Sequence, residues 1–223
     1  MRNENLIKCI DDIVCTAKKH NISIKLVEKP SISYDSSGKI QVSGYFDGEV
    51  KELACAVGKP EREWIPIFIH EACHMHQFIE NCEAWANTYL DKYHESYGTL
   101  DDFFGGWYIP KALLRKAFRA SFDCELDCEK RAVTLIKQYG LDIDLTEYIQ
   151  KANAYIWGYQ LMHKYRQWYL DGKSPYNIEA VWKAMPDTFD VDYANMPLEI
   201  EELYVKHCFD ITKRVYKPSV SES

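Results

Sequence analysis

Hydrophobic and polar positions run along the chain with two periods, and the change between them divides it. Over residues 4–20, Leu6, Ile7, Ile10, Ile13, Val14 and Ala17 recur every three or four positions, the spacing of one helix face. Asn21 can end that helix. Residues 22–27 switch to alternation, the period of a strand. Turn residues follow at Lys29-Pro30-Ser31 and again at 35–38. Residues 39–46 and 50–57 predict two strands around Asp47-Gly48, a strong hairpin signal, and Gly58-Lys59-Pro60 closes this part.

Beyond Pro60 the helical period returns. One long helix is predicted over 61–81, its apolar pattern extending through 85–93, with Pro66 making the first turns separate or irregular. Residues 99–108 contain Gly105-Gly106 and read as a loop or lid. Pro110 opens a helix to about Tyr139, which Gly140 stops. Residues 146–170 predict another helix, ended by Asp171-Gly172. A short helix is expected over 177–184, and Pro197 opens a last one to about Cys208. Residues 213–223 read as a flexible tail. With no internal repeat and no low-complexity linker, the expectation is a single domain over residues 1–212. Its class is α+β: a small N-terminal antiparallel or mixed sheet followed by a mainly helical body.

Composition narrows the choice. A chain of 223 residues can bury a substantial core, and 47% hydrophobic with 27% charged residues is ordinary for a soluble protein. A net charge of -7 argues against a general nucleic-acid surface. No apolar run approaches the roughly 20 residues of a membrane span, and the polar N-terminus carries no signal-peptide pattern. The eight cysteines include no C-x-x-C pair and read as buried, reduced thiols. The expected location is the cytoplasm, and the oligomeric state is left open.

The candidate chemistry starts at His70-Glu71-Ala72-Cys73-His74. On a helix, His70 and His74 lie one turn apart on one face, so their imidazoles can converge on one ion, most often zinc. Glu71 stands beside them, where a carboxylate can take a proton from water at the metal. The run Trp64-Ile65-Pro66-Ile67-Phe68-Ile69 leads straight into the motif, and burying the polar trio behind it without partners would be costly. Cys73 falls on another side of the helix. His76 points about 200° from His74, and Gln77 and Glu80 do not supply the glycine and histidine that would extend the motif to a third ligand on the same helix.

A catalytic zinc usually has three protein ligands and one open position. The helix from Pro110 offers Asp123, Glu125, Asp127 and Glu129, with Glu125 and Glu129 one turn apart. One can bind the metal while the other accepts a hydrogen bond from a ligand imidazole. Cys124 and Cys128 adjoin them; a thiolate ligand is possible, and their spacing also suits a buried apolar stripe.

HEACH and ELDCEKRAV, about fifty residues apart, together resemble the gluzincin branch of the zincin metallopeptidases. The layout is also similar to small H-E-x-x-H proteins carried by large tailed phages. The resemblance covers residues 50–135 and implies a zinc peptidase with one Zn2+ per chain and a peptide or protein substrate. It implies His70, His74 and Glu125 as ligands, Glu71 as the general base, and Glu129, where aspartate is commoner, as the group that holds a ligand imidazole. It also implies a substrate-holding edge strand, a place taken here by residues 52–57. Glu129, Asp127 and Asp123 remain alternatives to Glu125 as the third ligand. Tyr155, Tyr159 and His163, spaced i, i+4 and i+8, are candidate oxyanion donors, though for any one of them aromatic packing is the preferred reading. The alternative function is a non-catalytic zincin-like binding or interaction protein.

Overall fold

A computed structural model describes residues 2–34 and 40–210. The turn expected at 35–38, the start of the strand expected at 39 and the tail at 213–223 lie outside the described residues. The chain opens with helix α1, Arg2–Lys19, which buries Cys9, Ile13 and Ala17, three positions each one turn apart. Glu4 in its first turn and Lys18 and Lys19 in its last complement the helix dipole. Asn21, at φ 57°, turns the chain out of the helix.

Strand β1, Ser23–Val27, comes next, then the short strands β2, Ile32–Ser33, and β3, Gln41–Val42, which pair antiparallel as a separate two-stranded sheet. Strand β4, Gly44–Asp47, and strand β5, Glu52–Ala56, form the hairpin read from Asp47-Gly48. The Asp47 carboxylate closes its turn by accepting the N–H groups of Glu49 and Val50 at 2.8 and 3.1 Å. The main sheet has the order β1-β5-β4, with β1 parallel and β4 antiparallel to β5, so it is mixed. Residues 52–57, expected to hold substrate as an edge strand, instead supply the middle strand. The reason is in the side chains: Leu53, Ala54, Cys55 and Ala56 are all fully buried, and a continuous small apolar run suits a strand covered on both faces.

Helix α2, Glu61–Glu80, runs unbroken through Pro66 and ends at Asn81, whose left-handed φ of 46° lets its N–H reach back to the last carbonyls. The helix does not continue through 85–93; a single turn, α3, Glu83–Ala86, is followed by irregular chain. Residues 99–108, expected as a loop or lid, largely belong to helix α4, Ser96–Phe104. Thr99, Leu100 and Phe103 are buried there at helical spacing, and this burial outweighs the poor helix propensity of Gly98. Gly106, at φ 91°, makes the turn that follows. Helix α5, Lys111–Tyr139, ends at Gly140, at φ 59°. Helix α6, Leu145–Tyr165, stops short of 170 because Arg166 adopts φ 53°. A 3-10 turn at Pro175–Asn177 leads to α7, Glu179–Trp182, and α8, Leu198–His207, completes the helical body.

The chain forms two compact units. One takes the chain up to Ala86 together with Asp127–Asp144; the other takes Asn87–Leu126 together with the chain from Leu145. The first holds both sheets, α1, α2 and the C-terminal part of α5. The second has its own core, in which Trp157, Met162, Val181 and Tyr204 are nearly inaccessible. No helix among the described residues is long and apolar enough to cross a membrane, and none of the eight cysteines is in a disulfide.

Candidate metal centre

Helix α2 places His70 and His74 one turn apart, with ring centroids 4.7 Å from each other and planes at 87°. The Nδ1 of His70 lies 3.2 Å from Glu129 Oε1 on α5. Burial disfavours the charged form of this imidazole, but the Glu129 carboxylate outweighs it, and the pKa is raised to about 9. The Glu129 carboxylate therefore favours the protonated imidazole, and metal binding at His70 competes with that proton. His74 is buried, and its Nδ1 stands 2.8 Å from Gln77 Oε1. Carboxylate and amide partners of this kind set which ring nitrogen is available to a metal.

The third donor described with these two histidines is a thiol. Cys128 Sγ lies 3.6 Å from His70 Nδ1 and donates to the His70 carbonyl oxygen at 3.2 Å. One donor atom each from His70, His74 and Cys128 falls within 4.8 Å of the others. A tetrahedral zinc bonded at roughly 2.0–2.3 Å holds its ligands about 3.3–3.7 Å apart, so a modest inward movement closes the set. Two imidazoles and a thiolate are nitrogen and sulfur donors that suit zinc and do not suit calcium or magnesium.

This set overturns the gluzincin resemblance and the gluzincin metallopeptidase class it implied, because that class needs a downstream glutamate as third ligand and the cluster found here carries a cysteine. The physical reason lies in adjacent positions on α5. Cys128 and Glu129 are neighbours in sequence, and while Glu129 meets the His70 ring, the residue before it brings a soft donor to the same imidazole. The thiol is fully buried, as an apolar-stripe cysteine would be, so its position in sequence did not separate the two roles.

Glu71 follows His70 and is half-buried. Strand β4 comes very close to it: a Cβ on Gly44 would stand 3.1 Å from Glu71 Cγ, 2.8 Å from Ile67 Cγ2 and 3.1 Å from the Ala54 carbonyl oxygen. Burial and the negative charge of Glu71 push the Cys55 thiol up to about 12, with Lys59 opposing. The carboxylate is thus held between α2 and the sheet, where its charge is felt by the middle strand.

The other residues singled out in the sequence make contacts of their own. Glu125, in the second unit, is buried and accepts the Tyr97 hydroxyl at 2.9 Å. Tyr155 and Tyr159 meet through their hydroxyls at 3.1 Å. Burial and then the charge of Glu125 raise both well above the usual tyrosine value. His163 packs its ring 4.7 Å from that of Phe118, and the partial burial this brings, with the charges of Arg166 and Arg115, lowers its pKa. His76 borders a shallow surface hollow with Lys130, Arg131 and Thr134. Asp123 pairs with Arg119 at 2.6 Å.

Sequence reasoning passed over Gln77 and Arg131 as partners of the site and weighed Asp127 only as a possible third ligand. Gln77 Nε2 donates to Asp127 Oδ2 at 2.8 Å, and Arg131 Nε donates to the same oxygen at 2.6 Å. The available signal was weak: a polar residue three positions after His74, on the apolar side of α2. The sequence matches no protein-family model, no curated protein and no solved structure.

Proposed function

We propose that this chain is a zinc-dependent hydrolase, with His70, His74 and Cys128 holding one Zn2+ and Glu71 acting as general base. The observation that carries the reading is the convergence of the three donor atoms within 4.8 Å, beside a glutamate that directly follows the first ligand. Three protein ligands leave one tetrahedral position open, which is the pattern of catalytic sites; structural sites have four. When bound, the ion supplies Lewis acidity, polarising a substrate carbonyl and bringing the pKa of a water towards neutrality. Glu71 accepts the proton of the attacking water and returns it to the leaving group. Glu129 and Gln77 orient the two imidazoles, and burial of His74 and Cys128 keeps bulk water from competing for their donor atoms.

The test combines metal analysis with turnover. Purified protein is expected to carry close to one zinc per chain. Zinc-loaded wild type is expected to hydrolyse an activated ester such as p-nitrophenyl acetate, or an acyl p-nitroanilide, above the background rate. Glu71→Gln should retain the zinc and lose about 10²-fold or more of that rate, the usual scale for a general base. Equal rates in the two zinc-loaded proteins would reject the catalytic reading and leave a metal-binding protein without hydrolysis. Protein without zinc would reject the metal centre itself.

A further inference from the structure

The polar groups behind His74 form a chain whose donor and acceptor order is fully determined. Arg131 donates from Nε to Asp127 Oδ2 at 2.6 Å and from Nη1 to Glu80 Oε2 at 2.7 Å. A carboxylate paired with a guanidinium is ionised and only accepts. The Gln77 atom that faces Asp127 at 2.8 Å must therefore be the amide nitrogen. The amide oxygen then faces His74 Nδ1, also at 2.8 Å. A carbonyl oxygen cannot donate, so Nδ1 must carry the hydrogen. In a neutral imidazole this leaves the lone pair on Nε2. The orientation of a glutamine amide and the tautomer of a histidine are normally open choices. Here each follows from the one before, starting from a permanently charged arginine.

The geometry points to Gln77 as a positioning residue, held by Asp127 and Arg131, that fixes His74 in the Nδ1–H tautomer and so presents Nε2 to the metal. The inference rests on the reading of His74 as a metal ligand, and it adds how this chain readies that ligand before any ion arrives. Burial supports it: Gln77 is 0% exposed and His74 8%, whereas Glu80 at the far end reaches solvent. Water cannot substitute for the amide at the ligand, so the tautomer is set by protein groups alone. The chain also crosses twice between helices, from Gln77 on α2 to Asp127 on α5 and from Arg131 on α5 back to Glu80 on α2. Movement of α5 against α2 is thereby coupled to the ring orientation of His74.

Three variants separate this role from plain packing. Gln77→Leu keeps the volume and removes both hydrogen bonds. Gln77→Glu keeps an oxygen that accepts from His74 Nδ1–H. Asp127→Asn leaves the amide of Gln77 without a fixed orientation. The first readout is the ¹⁵N shifts of the His74 ring in metal-free protein, at a pH where the imidazole is neutral. The second is zinc affinity by competition with a chromophoric chelator. Wild type and Gln77→Glu are expected to show a single Nδ1–H tautomer, and Gln77→Leu and Asp127→Asn a mixture. Zinc affinity should fall about 10- to 100-fold in Gln77→Leu, the range typical for partners of ligand histidines, and recover to within a few-fold in Gln77→Glu. An unchanged tautomer in Gln77→Leu, or in Asp127→Asn should the leucine variant not fold, overturns the inference. Wild type that binds no zinc rejects the metal centre instead, while the tautomer in metal-free protein still decides the role of Gln77.

Discussion

Replacing Cys128 by serine tests the ligand set most directly. Serine is close to cysteine in volume, and its hydroxyl can keep the hydrogen bond that the thiol makes to the His70 carbonyl oxygen at 3.2 Å. The cost to folding is therefore expected to stay near 1 kcal/mol, the net worth of one ordinary buried polar contact. The cost to zinc is larger. Zinc sites in small proteins contribute on the order of 10–16 kcal/mol at neutral pH; divided over four coordination positions, one thiolate accounts for roughly 3 kcal/mol, or about 10²-fold in affinity. The assay is competition with a chelator of known affinity, read beside Glu125→Gln measured in the same way. Cobalt substitution gives an independent signature, because only a bound thiolate produces an intense sulfur-to-cobalt band in the near ultraviolet. The expected result is a loss of about 10²-fold and of that band in Cys128→Ser, with Glu125→Gln close to wild type. Wild-type affinity in Cys128→Ser together with zinc loss in Glu125→Gln would refute the thiol ligand and with it the assignment made from the His70–His74–Cys128 cluster.

Two further outcomes follow from the packing. Gly44→Ala would put a methyl group 2.8 Å from Ile67 Cγ2 and 3.1 Å from Glu71 Cγ; overpacking of this kind costs about 1–3 kcal/mol, and thermal unfolding should register it. Because the clashes fall on Ile67, the Ala54 carbonyl and Glu71 and not on the ligands, zinc affinity should change little while ester hydrolysis drops. A parallel loss of both would mean that β4 supports the whole site. In the second unit, Asn153 is fully buried and donates to the carbonyl oxygens of Pro186 and Thr188 at 2.8 and 2.9 Å, while accepting the Tyr193 hydroxyl. Asn153→Ala should cost roughly 2–4 kcal/mol through the buried groups left unsatisfied and expose the segment around 186–196 to limited proteolysis. Unchanged protection there would show that the segment is held by its apolar contacts alone.

Much of the fold was legible because its signals are local. The helical stripe of α1, the Asp47-Gly48 turn and the stops at Asn21 and Gly140 depend on a few neighbouring residues, and each appears in the structure. The errors have a common cause. Residues 99–108 were read from their glycines, yet burial of Thr99, Leu100 and Phe103 made most of that stretch helix. The run at 52–57 was read as an edge because it precedes the motif helix, yet its unbroken apolar side chains belong to a strand covered on both faces. Propensity is worth tenths of a kcal/mol per residue and yields when an apolar side chain gains about 1.5–3 kcal/mol by burial.

The same division applies to the site. The sequence by itself determined that His70 and His74 share a helix face with Glu71 beside them, since four residues make one turn in any α-helix. It also showed that α5 carries carboxylates and thiols suited to meeting them. Which of those groups meets the imidazoles was decided only by the tertiary structure. Adjacent residues on α5 point about 100° apart, so the rotation of that helix against α2 selects Cys128 and Glu129 for His70, and Asp127 for the amide that holds His74. Those contacts join residues some fifty positions apart, and no local pattern encodes the rotation of one helix against another.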